Sequence, residues 1–189
     1  YLQRWRTTDN ALEAIAAQHN DGLLILDELS QIDPKEAGEA AYLLANGQGK
    51  ARASRTGTAR QSARWRLLFL SAGEESLTAL MARAGRKTNV GQEIRLADIA
   101  ADAGAGMGAF EKLHDQASPA ALALAVKDAA IKHHGAAGLA WLRAIVTHRA
   151  DLAEWIEGSI KQFVQEATPK DAAGQVSRVA RRFALVASA

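Results

Sequence analysis

Two short aliphatic runs that stop abruptly on polar groups constrain this chain most: Leu23-Leu24-Ile25-Leu26 before Asp27-Glu28, and Leu67-Leu68-Phe69-Leu70 before Ser71. A strand covered on both faces reads as a continuous apolar run rather than an alternation, which is the pattern of a parallel sheet. Between the runs the spacing turns helical. Thr7, Thr8, Asp9 and Asn10 offer N-caps before Leu12, Ile15 and Ala16, predicting a helix to about Gln18, and His19-Asn20-Asp21-Gly22 is a turn cluster. Pro34 suits the first turn of a second helix, with Ala37, Ala41, Leu44 and Ala45 on one face and Asn46-Gly47 as its stop. A short strand over 1–6, a strand over 66–70, a helix over 75–84 closed by Gly85 and a strand over 93–96 complete the pattern. Strands alternating with helices predict the α/β class.

After Ile99 the texture changes. Gly104, Gly106 and Gly108 read as a joint, and no strand pattern follows them. Ser118-Pro119 is an N-cap and first-turn proline, opening a helix through Leu122, Val126 and Ala129 to His133, with Gly135 as its stop. Further helices are predicted over 137–147, 152–166 and 169–186. Leu152, Trp155, Ile156, Ile160 and Phe163 share a face of the third and predict a core stripe. The organisation is therefore a sheet-containing region over 1–103 and an all-α region over 104–189. His133, His134 and His148 fall at helix ends, where histidine complements the dipole. Adjacent positions on a helix point about 100° apart, which does not make a metal site.

Composition excludes several classes. No apolar run approaches the roughly 20 residues needed to cross a membrane, and no charged-then-apolar leader opens the chain. With no cysteine among 189 residues there is neither a disulfide framework nor a thiolate zinc site, which fits a cytoplasmic protein. A start at Tyr1 rather than methionine fits a chain cut from something longer. The formal net charge of +2 names no partner, but its distribution is uneven. Lys50, Arg52, Arg55, Arg60, Arg64 and Arg66 stand together without an acidic residue between them, a pattern suited to tracking phosphates.

Ligands of open α/β sheets sit at the carboxyl ends of the strands. Asp27 and Glu28 fall at such an end and read as a Walker B pair, one carboxylate for Mg²⁺ and the next for the attacking water. No Gly-x-x-x-x-Gly-Lys-[Ser/Thr] phosphate loop occurs in the sequence. The single Gly-x-Gly-Lys, Gly47 to Lys50, is followed by Ala51 and follows no apolar strand.

Taken together, Trp5-Arg6-Thr7-Thr8-Asp9-Asn10-Ala11-Leu12-Glu13, His19-Asn20-Asp21, Leu26-Asp27-Glu28-Leu29-Ser30-Gln31, Ala45-Asn46-Gly47-Gln48-Gly49-Lys50, Trp65-Arg66, Ser71-Ala72-Gly73-Glu74 and Gly91-Gln92-Glu93-Ile94-Arg95 resemble the domain-of-unknown-function family 927 of helicase-like and primase-associated proteins of mobile elements. The resemblance is dense over about 1–110. It implies a partial P-loop (AAA-like) parallel sheet lacking the phosphate-loop strand, followed by an all-α region, in a ring-forming ATPase that acts as a replicative helicase. ATP and Mg²⁺ belong to the intact parent, and neither is expected to bind this chain tightly. Asp27 becomes the magnesium-side carboxylate, Glu28 the water-activating base and Ser71 a sensor group. Arg83, Arg86 and Arg95 are candidates for an arginine finger, Arg86 first among them. Residues 48–60 take the place of a pore hairpin, so Lys50, Arg52, Arg55 and Arg60 are assigned to single-stranded or duplex DNA. The phosphate-loop strand of such ATPases lies between the sensor strand and the last strand, so 67–70 and 93–96 would each lack a neighbour. The alternative is a non-catalytic nucleic-acid-binding or oligomerisation module derived from such an ATPase.

Overall fold

The structure, a computed structural model, describes residues 2–53 and 57–188, with the backbone alone at Ala59 and Arg60. It divides into two compact units, Tyr1–Asp98 and Ile99–Ala189.

In the first unit β1 (Leu2–Arg4), β2 (Gly22–Asp27) and, further along, β5 (Leu67–Ser71) form a parallel sheet in the order β1-β2-β5. Both aliphatic runs are strands, and they are neighbours in register, Leu24 beside Phe69 and Leu26 beside Ser71. Helix α1 (Asp9–Gln18) starts where the Thr8 hydroxyl accepts the Ala11 N–H. Helix α2 (Ala37–Asn46) begins after Pro34 rather than on it, because the Asp33 carboxylate and carbonyl take the N–H groups of Lys35, Glu36 and Ala37 in a preceding turn. Gly47 ends α2 at φ +69, and a Cβ there would stand 2.6 Å from the Trp65 carbonyl oxygen. The chain then runs out and back as a hairpin, β3 (Arg52–Ala53) antiparallel to β4 (Ala59–Arg60).

Helix α3 (Leu77–Arg83) carries an N-cap bond from Ala79 to Ser76. It closes in a Schellman motif, with the Gly85 N–H donated to Ala82 and the Arg86 N–H to Met81. The strand predicted over 93–96 does not exist. A short helix, α4 (Val90–Glu93), stands there, nucleated by reciprocal bonds between Asn89 and Gln92 in a capping box. Arg95 just beyond it stacks over the Tyr42 ring at 4.2 Å and donates to the Gly91 carbonyl, contacts a strand could not make.

One face of the sheet is packed. Leu24 and Leu26 join Trp5, Leu12, Ala16, Ala41, Leu44, Leu77 and Leu80 in a single core. The other face is bare: Leu2, Leu23, Leu68 and Leu70 are 62%, 51%, 42% and 58% exposed. A parallel sheet ordinarily has both faces covered, and among the described residues nothing pairs with the outer edge of β5.

The second unit holds α5 (Pro119–Lys132), α6 (Ala136–Thr147), α7 (Arg149–Ala167) and α8 (Gly174–Ala187) after an irregular lead. Ser118 caps α5 as its sequence predicts. The last helix starts at Gly174 rather than near Pro169. The predicted stripe on α7 is only partly inside: Leu152, Ile156, Ile160 and Phe163 are half-buried, whereas Trp155 is 55% exposed. In α6, Leu139, Trp141, Leu142 and Val146 are all at least half exposed.

Candidate nucleotide-binding site

The carboxyl ends of the three strands are tied together by short backbone bonds. Trp5 donates to the Asp27 carbonyl, Ala72 to Leu26 and Leu29 to Ala72. Asp27 ends β2 half-buried, and among the described residues its carboxylate enters no hydrogen bond or ion pair. A carboxylate left uncommitted at a strand end is what a Mg²⁺ site in an ATPase requires of the protein, since the ion keeps several waters and takes its other ligands from phosphates. No group of three or more His, Asp or Glu gathers around a metal-sized point among the described residues. Asp27 is thus a half-buried strand-end carboxylate without a partner among the described residues.

Glu28 adopts a left-handed backbone, φ 60 and ψ 75, which costs a non-glycine residue on the order of 1 kcal/mol or more. The cause lies next door, because the turn carries Leu29 into the core, where it is 4% exposed and bonded to Ala72. The Ser30 hydroxyl donates to Glu28 Oε1. The carboxylate that sequence pattern assigns to water is thus presented on a strained turn with a local donor on it.

Ser71 stands at the carboxyl end of β5. Its register partner is Leu26, so it shares the packed face, and its Oγ accepts the Trp5 indole N–H at 2.9 Å. Trp5, fully buried, thereby links the end of β1 to the end of β5 across β2. Asp27 follows on the opposite side of the pleat. The geometry makes Ser71 an anchor for the indole, and it does not bring Ser71 and Asp27 together.

Among the arginine-finger candidates, Arg83 is bonded to Glu75 at 2.8 Å and Arg95 to Tyr42 and Gly91. Arg86, exposed just past the α3 stop, has no side-chain partner among the described residues.

The basic segment is a hairpin, but tertiary contacts neutralise much of its charge. The Glu13 carboxylate, on the inner side of α1, accepts the Lys50 backbone N–H and two bonds from the Arg52 guanidinium. Lys50 Nζ pairs with Asp9, whose hydrogen bond raises the lysine above its ordinary pKa. Arg66 pairs with Asp21. Lys50 and Arg52 therefore tie the hairpin base to α1. Arg55 lies outside the described residues, and Arg60 is described by its backbone in β4. The acids responsible sit some 40 positions earlier, at Asp9 and Glu13 on one side of α1. Charge counted along the segment could not reveal them.

The fold is mixed α/β, a small parallel sheet of three strands in a chain that is otherwise mostly helical. Residues 1–64 match the model of a domain of unknown function, DUF927. Over 99% of its length the chain superposes on part of the solved structure of the SCCmec type IV Cch active helicase, with a TM-score of 0.66 and 21% identity, and it spans 30% of that helicase's chain. No curated protein matches it.

Proposed function

We propose that this chain is the Walker B half of a helicase-type ATPase, completed in the intact parent by a phosphate-loop strand and its following helix. The observation that carries this reading is the unfinished sheet. Among the described residues the three parallel strands leave β5 with an unpaired edge and one face with four exposed leucines, beside a carboxylate that no described group engages. A strand laid along β5 with its helix on the bare face would bury those leucines and carry a phosphate loop to the end of β2. The shared fold with part of an active helicase and the DUF927 match over residues 1–64 support the same placement.

In this reading Asp27 would hold Mg²⁺ through water, and the ion would supply charge neutralisation for the nucleotide phosphates. Glu28 takes the proton of the attacking water, a role worth about 10²–10⁴-fold in rate. Arg86 is the group free to reach a neighbouring subunit's nucleotide in a ring. Ser71 acts through Trp5, holding the strand ends in line.

The test compares this chain with the full gene product, including whatever is encoded before residue 1. The chain alone should show no ATP turnover, because it has no phosphate loop to cradle the β- and γ-phosphates. In the full product, Glu28→Gln should leave nucleotide binding intact and lower turnover at least a hundredfold. A full-rate Glu28→Gln enzyme removes Glu28 from the role. A full product that neither binds nor hydrolyses ATP favours the second reading, a non-catalytic module.

A further inference from the structure

Lys50, Arg52 and Arg66 are paired to acids, whereas α8 carries a second cluster of arginines. Residues 172–188 contain Arg178, Arg181 and Arg182 and no acidic residue. Spaced at i, i+3 and i+4, the three share one side of the helix, with Gln175 a turn before them. All three are exposed. Among the described residues neither Arg178 nor Arg181 enters an ion pair or hydrogen bond.

The opposite side of α8 is already occupied. Val179, Ala180 and Phe183 are half-buried and Ala184 is fully buried where the helix packs on α7. That packing engages the side of α8 carrying Ala180, Phe183 and Ala184, while Val176, Leu185 and Val186 stay 48%, 42% and 58% exposed. Arg178 and Arg181 remain exposed without an ion pair or hydrogen bond among the described residues. Guanidinium forks suit phosphate oxygens, and the lack of stacking groups points to backbone rather than base contact.

We propose that the arginine side of α8, carried by Arg178 and Arg181, is a phosphodiester-binding surface for nucleic acid. It is distinct from the hairpin and does not depend on the nucleotide chemistry of the first unit. Binding through it is electrostatic and indifferent to base sequence.

The experiment titrates the whole chain into a fluorescently labelled oligothymidine across a salt series, with anionic phospholipid vesicles and inorganic phosphate as parallel arms. Arg178→Gln/Arg181→Gln keeps helix propensity and, on an exposed side, the fold, which circular dichroism verifies. The double variant should lose about tenfold in affinity at low salt, and its slope of log affinity against log salt should fall by about 1.4, two single-strand contacts at roughly 0.7 each. Lys50→Ala should leave that slope unchanged. The proposal is overturned if the double variant keeps the parental slope while the chain still binds, for then the contacts lie elsewhere and nucleic-acid binding itself survives. It is equally overturned if the parental chain ignores the oligonucleotide, whether or not it binds vesicles. Competition by inorganic phosphate alone at matched ionic strength would reduce the site to a simple anion site and sink the polymer reading.

Discussion

Four tryptophans divide evenly between the two units and fare oppositely. Trp5 and Trp65 in the first are 0% and 5% exposed, whereas Trp141 and Trp155 in the second are 50% and 55% exposed. The first unit closes a core in which strand, helix and hairpin residues meet, and its polar indole groups find partners in Ser71 and the Leu44 carbonyl. In the second unit the buried apolar residues are Leu122 and Ala184 among those described. Its helices are nonetheless regular, because a proline-led N-cap, abundant alanine and glycine stops form helix locally without needing a shared core. The contrast teaches that local propensity and core formation are separate achievements here. The first unit has both, and the second has mainly propensity.

The comparison breaks most sharply at the tryptophans. Trp5→Ala should cost about 3–5 kcal/mol, through the emptied core and the Ser71 hydroxyl left without its donor. Trp155→Ala should stay within about 0.5 kcal/mol, as exposed substitutions do. Denaturation followed by the fluorescence of the remaining indoles checks both, and equal costs would mean that the second unit has a core of its own after all.

A middle-sized effect is expected at the pinned hairpin. Glu13→Ala removes the acceptor shared by the Lys50 N–H and Arg52 and should cost about 1–3 kcal/mol, while Glu13→Gln, which keeps an acceptor, should cost less. Amide exchange at Lys50 and Arg52 is the local readout. Unchanged protection in the alanine variant would show that β3 and β4 hold themselves.

The smallest effect belongs to the second unit. The Asp102 carboxylate accepts the N–H groups of Gly104 and Gly106, and these bonds, Gly104 first, hold it below the ordinary aspartate range. A depressed carboxylate stabilises its loop above the unfolded pKa and loses that contribution as pH falls through the folded one. The Gly104 and Gly106 amide signals should therefore hold steady at neutral pH and move at a pH below the ordinary aspartate range. Movement centred at the ordinary carboxylate pKa would show the loop to be unformed in solution.

Much of the first unit was legible in the residues. The aliphatic runs specified parallel strands because a continuous apolar run is the pattern of that sheet, even though one face is bare among the described residues, and Thr8, Ser118, Gly47 and Gly85 marked helix ends through local geometry. The carboxylates of Asp27 and Glu28 could be placed at a strand end for the same local reason. Tertiary structure decided the rest. It turned residues 90–93 into a helix capped by Asn89, faced Ser71 toward Trp5, left Trp155 outside, and paired Lys50 and Arg52 with acids from α1. The Trp5–Ser71 bond and the pairing of Lys50 and Arg52 depend on groups far apart in the chain, where pairing energy is set by distance and burial and not by sequence spacing, whereas the Asn89–Gln92 cap is local. The composition of the 50–66 segment therefore stated how much positive charge it contains, while only the fold determined that Lys50, Arg52 and Arg66 spend theirs on acids of this chain and that, among the described residues, Arg178 and Arg181 of α8 do not.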